Sequence, residues 1–324
     1  MKHPTRRAFA ASFVALAALA SVPALAQAAY PDRPITIVVP FPAGGPTDAS
    51  ARLFGKALAD SLGQPVVLDN RAGAAGTVGS AFVARAAADG YTLLWGGTST
   101  LAVAPGLYRN LKYDAQSFVP VGMALRGPMM VAASTGSGIA SLADIQRRAR
   151  QGAVTVGTAG TGSIGHLATE LYADTAGIKL THVPYRGGSP AITDAIGGQV
   201  DLVFDTAAAL YPFVQAGKLR AIAVGGTQAY APLPDIPTIQ AGTGSPYEAY
   251  SWFGLVAPKA TPAPVLQVLR RTMAKVAQTP EIRQSLKEQG VEPGVPDAEA
   301  FGKVIAADAT KWARIIRQAD VTAE

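Results

Sequence analysis

The chain has 324 residues, of which 49% are hydrophobic and 34 are glycine, with no cysteine and a formal charge of +6. Lack of cysteine excludes a disulfide framework. Lys2, Arg6 and Arg7 carry three of the positive charges, which leaves +3 beyond them and no basic cluster interleaved with aromatics, so a nucleic-acid partner is not expected.

The N-terminal stretch "MKHPTRRAFAASFVALAALASVPALAQA" has a basic start, an apolar run from about Phe9 to Leu19 and small-residue exits at "ALA" and "AQA". This is the pattern of a cleaved export signal over residues 1–28, cut after Ala26 or Ala28. The apolar run is short for a membrane span. "TRRAF" also resembles a twin-arginine motif, but paired basic residues are common in Sec signals, so Sec is the expected export route.

From residue 30 onward, strand-like and helix-like segments take turns. "ITIVVPF" (35–41) reads as a buried strand, followed by a helix over 47–63. "PVVLDN" (65–70) is a strand, "RAGAAGTVGS" leads into a helix reaching about Ala88, and "YTLLWGG" (91–97) is a third strand. Residues 98–128 read as irregular, dotted with Gly and Pro. A second series follows: strand 129–134, helix 141–152, strand 154–159, helix 164–176, strand 182–185, helix 189–198, strand 202–206, helix 207–217 and strand 219–226. After a Pro-rich connector come the strand "SWFGLVAP" (251–258) and two or three amphipathic helices. Such alternation predicts an α/β fold with mostly parallel sheets flanked by helices. The strands are too many for one compact doubly wound sheet, so two lobes are expected. The late strand is explained if the chain builds one lobe, crosses to a second and returns.

Glycine recurs where strands become helices: "FPAGGPTD" (41–48), "NRAGAAGT" (70–77), "GGTST" (96–100), "GTAGTGS" (157–163), "YRGGSP" (185–190) and "FDTAA" (204–208). In open α/β sheets this strand edge lines the binding crevice. Free first-turn N–H groups there seat an anion without a charged side chain. We read "NRAGAAGT" as structural. Gly160, Gly162 and Gly165 also spell G-x-G-x-x-G, the layout of a dinucleotide turn. The next strand, however, ends in Tyr185–Arg186 with no acid for a ribose diol; Arg186 would suit only a 2′-phosphate. The unit also falls mid-chain in an exported protein, so no cofactor is expected. His166 and His182 lie on different kinds of element without metal-ligand spacing, so no metal site is expected either. Ser189 in "RGGSPA" weakly echoes a nucleophile elbow, which keeps an exported hydrolase as a minor alternative. His166 reads as a cap or packing residue with room for one hydrogen bond to a ligand.

The motifs "YPDRPITIVVPFPAGGPTDASAR", "VVLDNRAGAAGTVGS", "ADGYTLL", "HLATELY", "HVPYRGGSPAITDAIGGQVDLVFD", "AGKLRAIAV", "LPDIPT" and "SWFGLVAP" resemble, in order, the substrate-binding receptors of tripartite tricarboxylate transporters, the Bug or TctC family. The resemblance implies a two-lobed periplasmic binding-protein fold of type II and a receptor rather than an enzyme. It closes on a small carboxylate (a di- or tricarboxylate, an amino acid or an aromatic acid) and delivers it to membrane permease subunits. A sensor protein in the membrane is the alternative partner, and the receptor is expected to be a monomer. We place lobe 1 at residues 30–125 and 226–324, and lobe 2 at 126–225. The resemblance maps ligand contacts onto Phe41, Ala43, Gly44, Gly45, Thr47 and Asp48 in one loop and Ala159, Gly160, Thr161, Gly162 and Ser163 in another. Thr98, Ser99, His166, Tyr185 and Asp205 border the same cleft. The chain departs from the family pattern at Pro46, which removes one possible N–H, and at Thr206. Trp95 and Tyr250 stand where smaller residues are expected and hint at a bulkier ligand.

Overall fold

The computed structural model describes residues 30–114 and 116–322. The expected export signal lies outside them. Among the described residues no helix is long and apolar enough to cross a membrane.

The first half-sheet begins with β1 (Ile35–Val39), β2 (Val66–Asn70) and β3 (Thr92–Gly97), all parallel. β1 is buried on both faces, since Ile35, Ile37 and Val39 enter one apolar cluster and Val38 another. That accounts for its unbroken β-branched run. Its crossovers are α1 (Pro46–Leu62) and α2 (Thr77–Ala84). α2 stops at Ala84, earlier than the sequence suggests. The N–H groups of Arg85 and Ala86 turn back onto the carbonyls of Phe82 and Val83, and the Asp89–Gly90 turn follows.

The largest departure from expectation is in 98–128. Residues Thr98–Val103 form a single wide turn, and β4 runs without interruption from Phe118 to Ser134. Pro120, Gly122, Gly127 and Pro128 disguise this strand in the sequence. The ladder shifts register between Pro120 and Gly122 and again between Met123 and Leu125, and it pairs Gly127 and Pro128 regularly with Ser251 and Tyr250. A bulge is where a sheet tolerates proline.

β4 belongs to both halves of the molecule. Its first part pairs with β9 (Tyr250–Pro258) and β10 (Glu292–Pro293), and its second part with β7 (Leu202–Thr206) and β8 (Leu219–Val224). The second half is completed by β5 (Thr155–Thr158), between β7 and β6 (Thr181–Pro184). Within each half most strands run one way. β9 and β10 oppose the others in the first half, and β4 opposes them in the second. The late strand β9 returns to lie between β3 and β4. Helices α3 (Leu142–Gln151), α4 (Ile164–Ala176), α5 (Gly188–Ile196) and α6 (Ala207–Gln215) flank the second half. α7 (Ala263–Val276), α8 (Pro280–Glu288) and α9 (Ala298–Gln318) close the chain. One apolar cluster carries Val38 and Leu94 of the first half, Val131 and Leu202 of the second, and Trp312 and Ile315 of α9. The long C-terminal helix therefore packs on a core that both halves share.

Candidate functional site

The loop after β1 is held by its own acid. Asp48 is buried; its Oδ2 accepts the Gly44 N–H at 2.9 Å and Arg52 Nε at 2.8 Å, while Oδ1 accepts Asn70 Nδ2 at 2.9 Å. The Arg52 guanidinium and the Gly44 amide lower its carboxyl to about 2 despite burial. Pro46 sits in the first turn of α1, where its missing N–H breaks no helical bond. The amides of Ala43, Gly45, Thr47 and Asp48 have no acceptor among the described residues. Phe41 lies against Gly76 and beside Thr100, which brings the 73–77 turn to this loop. That neighbour was read as merely structural. It holds two consecutive alanines at positive φ, Ala74 at 43° and Ala75 at 52°, a conformation L residues rarely adopt.

Thr98 Oγ1 accepts the Trp252 N–H at 2.9 Å, so its side chain ties β3 to β9 rather than reaching outward. Ser99 is half-buried and makes no side-chain hydrogen bond among the described residues.

The second loop follows β5. Ser163 caps α4 by accepting the His166 N–H, and the Gly160 carbonyl accepts the Ser163 N–H at 3.1 Å. Thr161 is exposed and Ala159 half-buried. The amides of Thr161, Ile164 and Gly165 have no acceptor among the described residues. Gly162 packs on Leu107 of the first half, and the Gly160 Cα lies close to the Tyr185 carbonyl. Tyr185 does not offer its hydroxyl: it donates to Asp194 Oδ2 at 2.8 Å, and burial with that carboxylate pushes it up to about 12. Asp205 Oδ1 accepts the Thr206 N–H at 2.7 Å and Oδ2 abuts Gly188, with no ion-pair partner among the described residues. Burial raises this carboxyl above the usual range.

The two histidines, on a helix and a strand as the sequence suggests, are stacked ring on ring with centroids 3.7 Å apart. No spacing rule finds this pair, because the crossover through α4 lays β6 and its His182 back beside β5. His166 Nδ1 accepts the Gly162 N–H at 3.1 Å and its Nε2 lies 3.5 Å from Glu170 Oε1. Among the described residues, the two imidazoles and Glu170 do not form a group that could hold a metal ion. Burial and the neighbouring imidazole lower His182 from 6.5 to about 4. Between those values the unfolded chain takes up a proton that the folded protein refuses. Stability is therefore expected to fall by about 2 kcal/mol as pH drops from 6.5 to 4. Calorimetric midpoints across that range check this, and His182→Phe should flatten the slope.

The hint of a bulkier ligand does not survive. Trp95 is fully buried against Phe54 with Nε1 donating to Ser50 Oγ at 3.1 Å, and Tyr250 is buried beneath Arg126. Both rings are core. Ser189 is exposed at the start of α5, while both described imidazoles are engaged elsewhere, so no nucleophile–base pair forms among the described residues.

Two α/β halves joined by crossing strands, with glycine-bearing loops at the strand ends, define the two-lobed periplasmic binding-protein fold of type II. The profile of the "Tripartite tricarboxylate transporter family receptor" matches residues 50–321, and the chain belongs to that family. Its members are substrate-binding receptors rather than enzymes, and this chain is a periplasmic solute-binding protein. It is 36% identical to protein BugT of Bordetella pertussis, over 94% of each chain. Among solved structures it resembles R. palustris Rpa4515 with adipate, with a TM-score of 0.80 and 34% identity over 90% of this chain and 99% of that one. It also resembles MatC from Rhodopseudomonas palustris with bound malate, with a TM-score of 0.75 and 29% identity over 89% and 100%.

Proposed function

We propose that this receptor captures a small carboxylate between its lobes and delivers it to the permease subunits of a tripartite tricarboxylate transporter. The observation that carries this reading is the pair of loops whose amides lack acceptors: Ala43, Gly45, Thr47 and Asp48 after β1, and Thr161, Ile164 and Gly165 at the start of α4. Oriented N–H groups at a helix start attract an anion, each hydrogen bond to a charged group adding roughly 1.5–3 kcal/mol. Several such bonds reach the ~8 kcal/mol of micromolar binding after ordering costs. The adipate and malate held by the two similar proteins support a carboxylate of this size. Ser99 and Asp205 supply the side-chain selectivity. A neutral, protonated Asp205 would donate to a ligand oxygen, whereas its ionised form would repel one.

The lobes, residues 30–125 with 226–324 and residues 126–225, hinge where three strands meet. The Met129 N–H donates to the Ala249 carbonyl, the Gly225 N–H to Met129 and the Ala249 N–H to Gly225, at 2.7–3.0 Å. Ligand shifts the population of the closed form. Thermal-shift screening of the mature protein against mono-, di- and tricarboxylates, amino acids and aromatic acids tests the proposal. At least one carboxylate should raise the midpoint, since a ligand at 100 times its Kd adds about 2.7 kcal/mol. A well-folded protein stabilised by none of them would count against it.

A further inference from the structure

The two positive-φ glycines of the second loop, Gly160 (φ 124°) and Gly162 (φ 73°), each end on one member of the imidazole stack. Gly162 donates its N–H directly to His166 Nδ1. Gly160 makes long contacts, at 3.4 and 3.5 Å, to Thr158 Oγ1, and that hydroxyl lies 2.7 Å from His182 Nε2. Neither bond uses an amide that the proposed ligand needs. The bonds instead set the curvature that presents the remaining amides.

The protonation state of His166 can be read from its neighbours. A ring nitrogen that accepts an N–H carries no proton, so Nδ1 is bare and Nε2, turned toward Glu170, carries the hydrogen. Protonating Nδ1 would set two N–H donors against each other and expel Gly162. Glu170, on the same helix as His166, is the charged side chain within ion-pairing distance; His182 faces the ring from β6, and Thr158 of β5 is uncharged.

We propose that His166 and His182 are positioning residues for the carboxylate loop. As a neutral stacked pair they hold Gly162 and Gly160 in the left-handed turn, and a proton on His166 Nδ1 releases the loop and weakens the ligand. This rests on the carboxylate reading above for its consequence, though not for its geometry. The receptor thereby loses grip in acid through its own side chains, apart from any protonation of the ligand.

Nitrogen-15 spectra of the ligand-free protein test the geometry without any ligand. At pH 7.5 His166 should show a bare Nδ1 and a protonated Nε2, and on acidification the Gly162 amide should shift with the same midpoint as the His166 ring. A protonated Nδ1, or a Gly162 amide indifferent to pH, would overturn the proposal. The consequence is tested by calorimetric titration with adipate at pH 8 and pH 5. Wild-type Kd should weaken by a larger factor than that of His166→Asn, whose side-chain oxygen can still accept from Gly162 but cannot titrate. That variant carries the ligand's own protonation as an internal control. Equal Kd ratios in the two proteins would also overturn the proposal. Failure of adipate and every other carboxylate to bind would sink the proposed function alone, since the spectra still decide the loop.

Discussion

Gly165→Ala is expected to cost about 3 kcal/mol and to take carboxylate binding with it. A Cβ at this position would collide with the carbonyl oxygen of Phe204 and come within 3.4 Å of its carbonyl carbon. Neither atom can give way, because Phe204 is locked in register opposite Val131 in the β4–β7 ladder. α4 would have to withdraw from the sheet, carrying the amides of Ile164 and Gly165 and the Ser163 cap. At under about 2 °C per kcal/mol in a protein of this size, the thermal midpoint should fall by roughly 5 °C. Gly177→Ala is the control. Its φ of 62° penalises a side chain, but nothing lies within 4 Å of the added atom. It should cost only about 1 kcal/mol and leave affinity intact. Denaturant unfolding and calorimetric titration of both variants measure the contrast. Wild-type stability in Gly165→Ala would mean that the helix does not approach β7 as described.

Asp48→Ala should destabilise the protein by about 2–3 kcal/mol, because it orphans three donors at once: Gly44 N–H, Asn70 Nδ2 and Arg52. Arg52 is 56% exposed and can turn to water, which keeps the loss below that of a fully buried pair. Affinity should drop about tenfold, since residues 43–47 must then be ordered at the ligand's expense. A direct ligand contact would give the reverse pattern, large in affinity and small in stability. Arg52→Ala, by comparison, should cost under about 1 kcal/mol. The acid profile is a second readout. Asp48 titrates near 2 in the folded protein against an ordinary 3.8, so its contribution is complete above pH 3.8 and disappears as pH falls through 2. Asp48→Ala should lose that acid-labile component.

Local pattern made most of the elements legible. The helix over 164–176 and the strand over 202–206 fall where periodicity and capping residues put them. Both are marked by short-range chemistry, Ser163 capping one and Thr206 opening the helix after the other. The first part of β4, residues 118–128, escaped because proline and glycine lower strand propensity wherever they stand. Only pairing with β9 and β7 on either side, with bulges taking up the misfits, makes one long strand of it. The candidate loops were equally legible as glycine-bearing strand ends. Which of their polar groups are spent within the fold was not. Asp48, Thr98, His166 and Tyr185 all turn out to be committed to other residues.

By itself, the order of segments and the spacing of caps and glycines determined an α/β chain of two half-sheets with amide-rich turns at its strand ends. Such signals act within a few residues and survive in a linear text. The tertiary structure alone decided that His182 stacks on His166, that Trp95 and Tyr250 belong to the core, and that β4 is shared by both halves. Those contacts join residues from about 16 to more than 100 positions apart. They depend on register and packing between elements, which no local periodicity encodes.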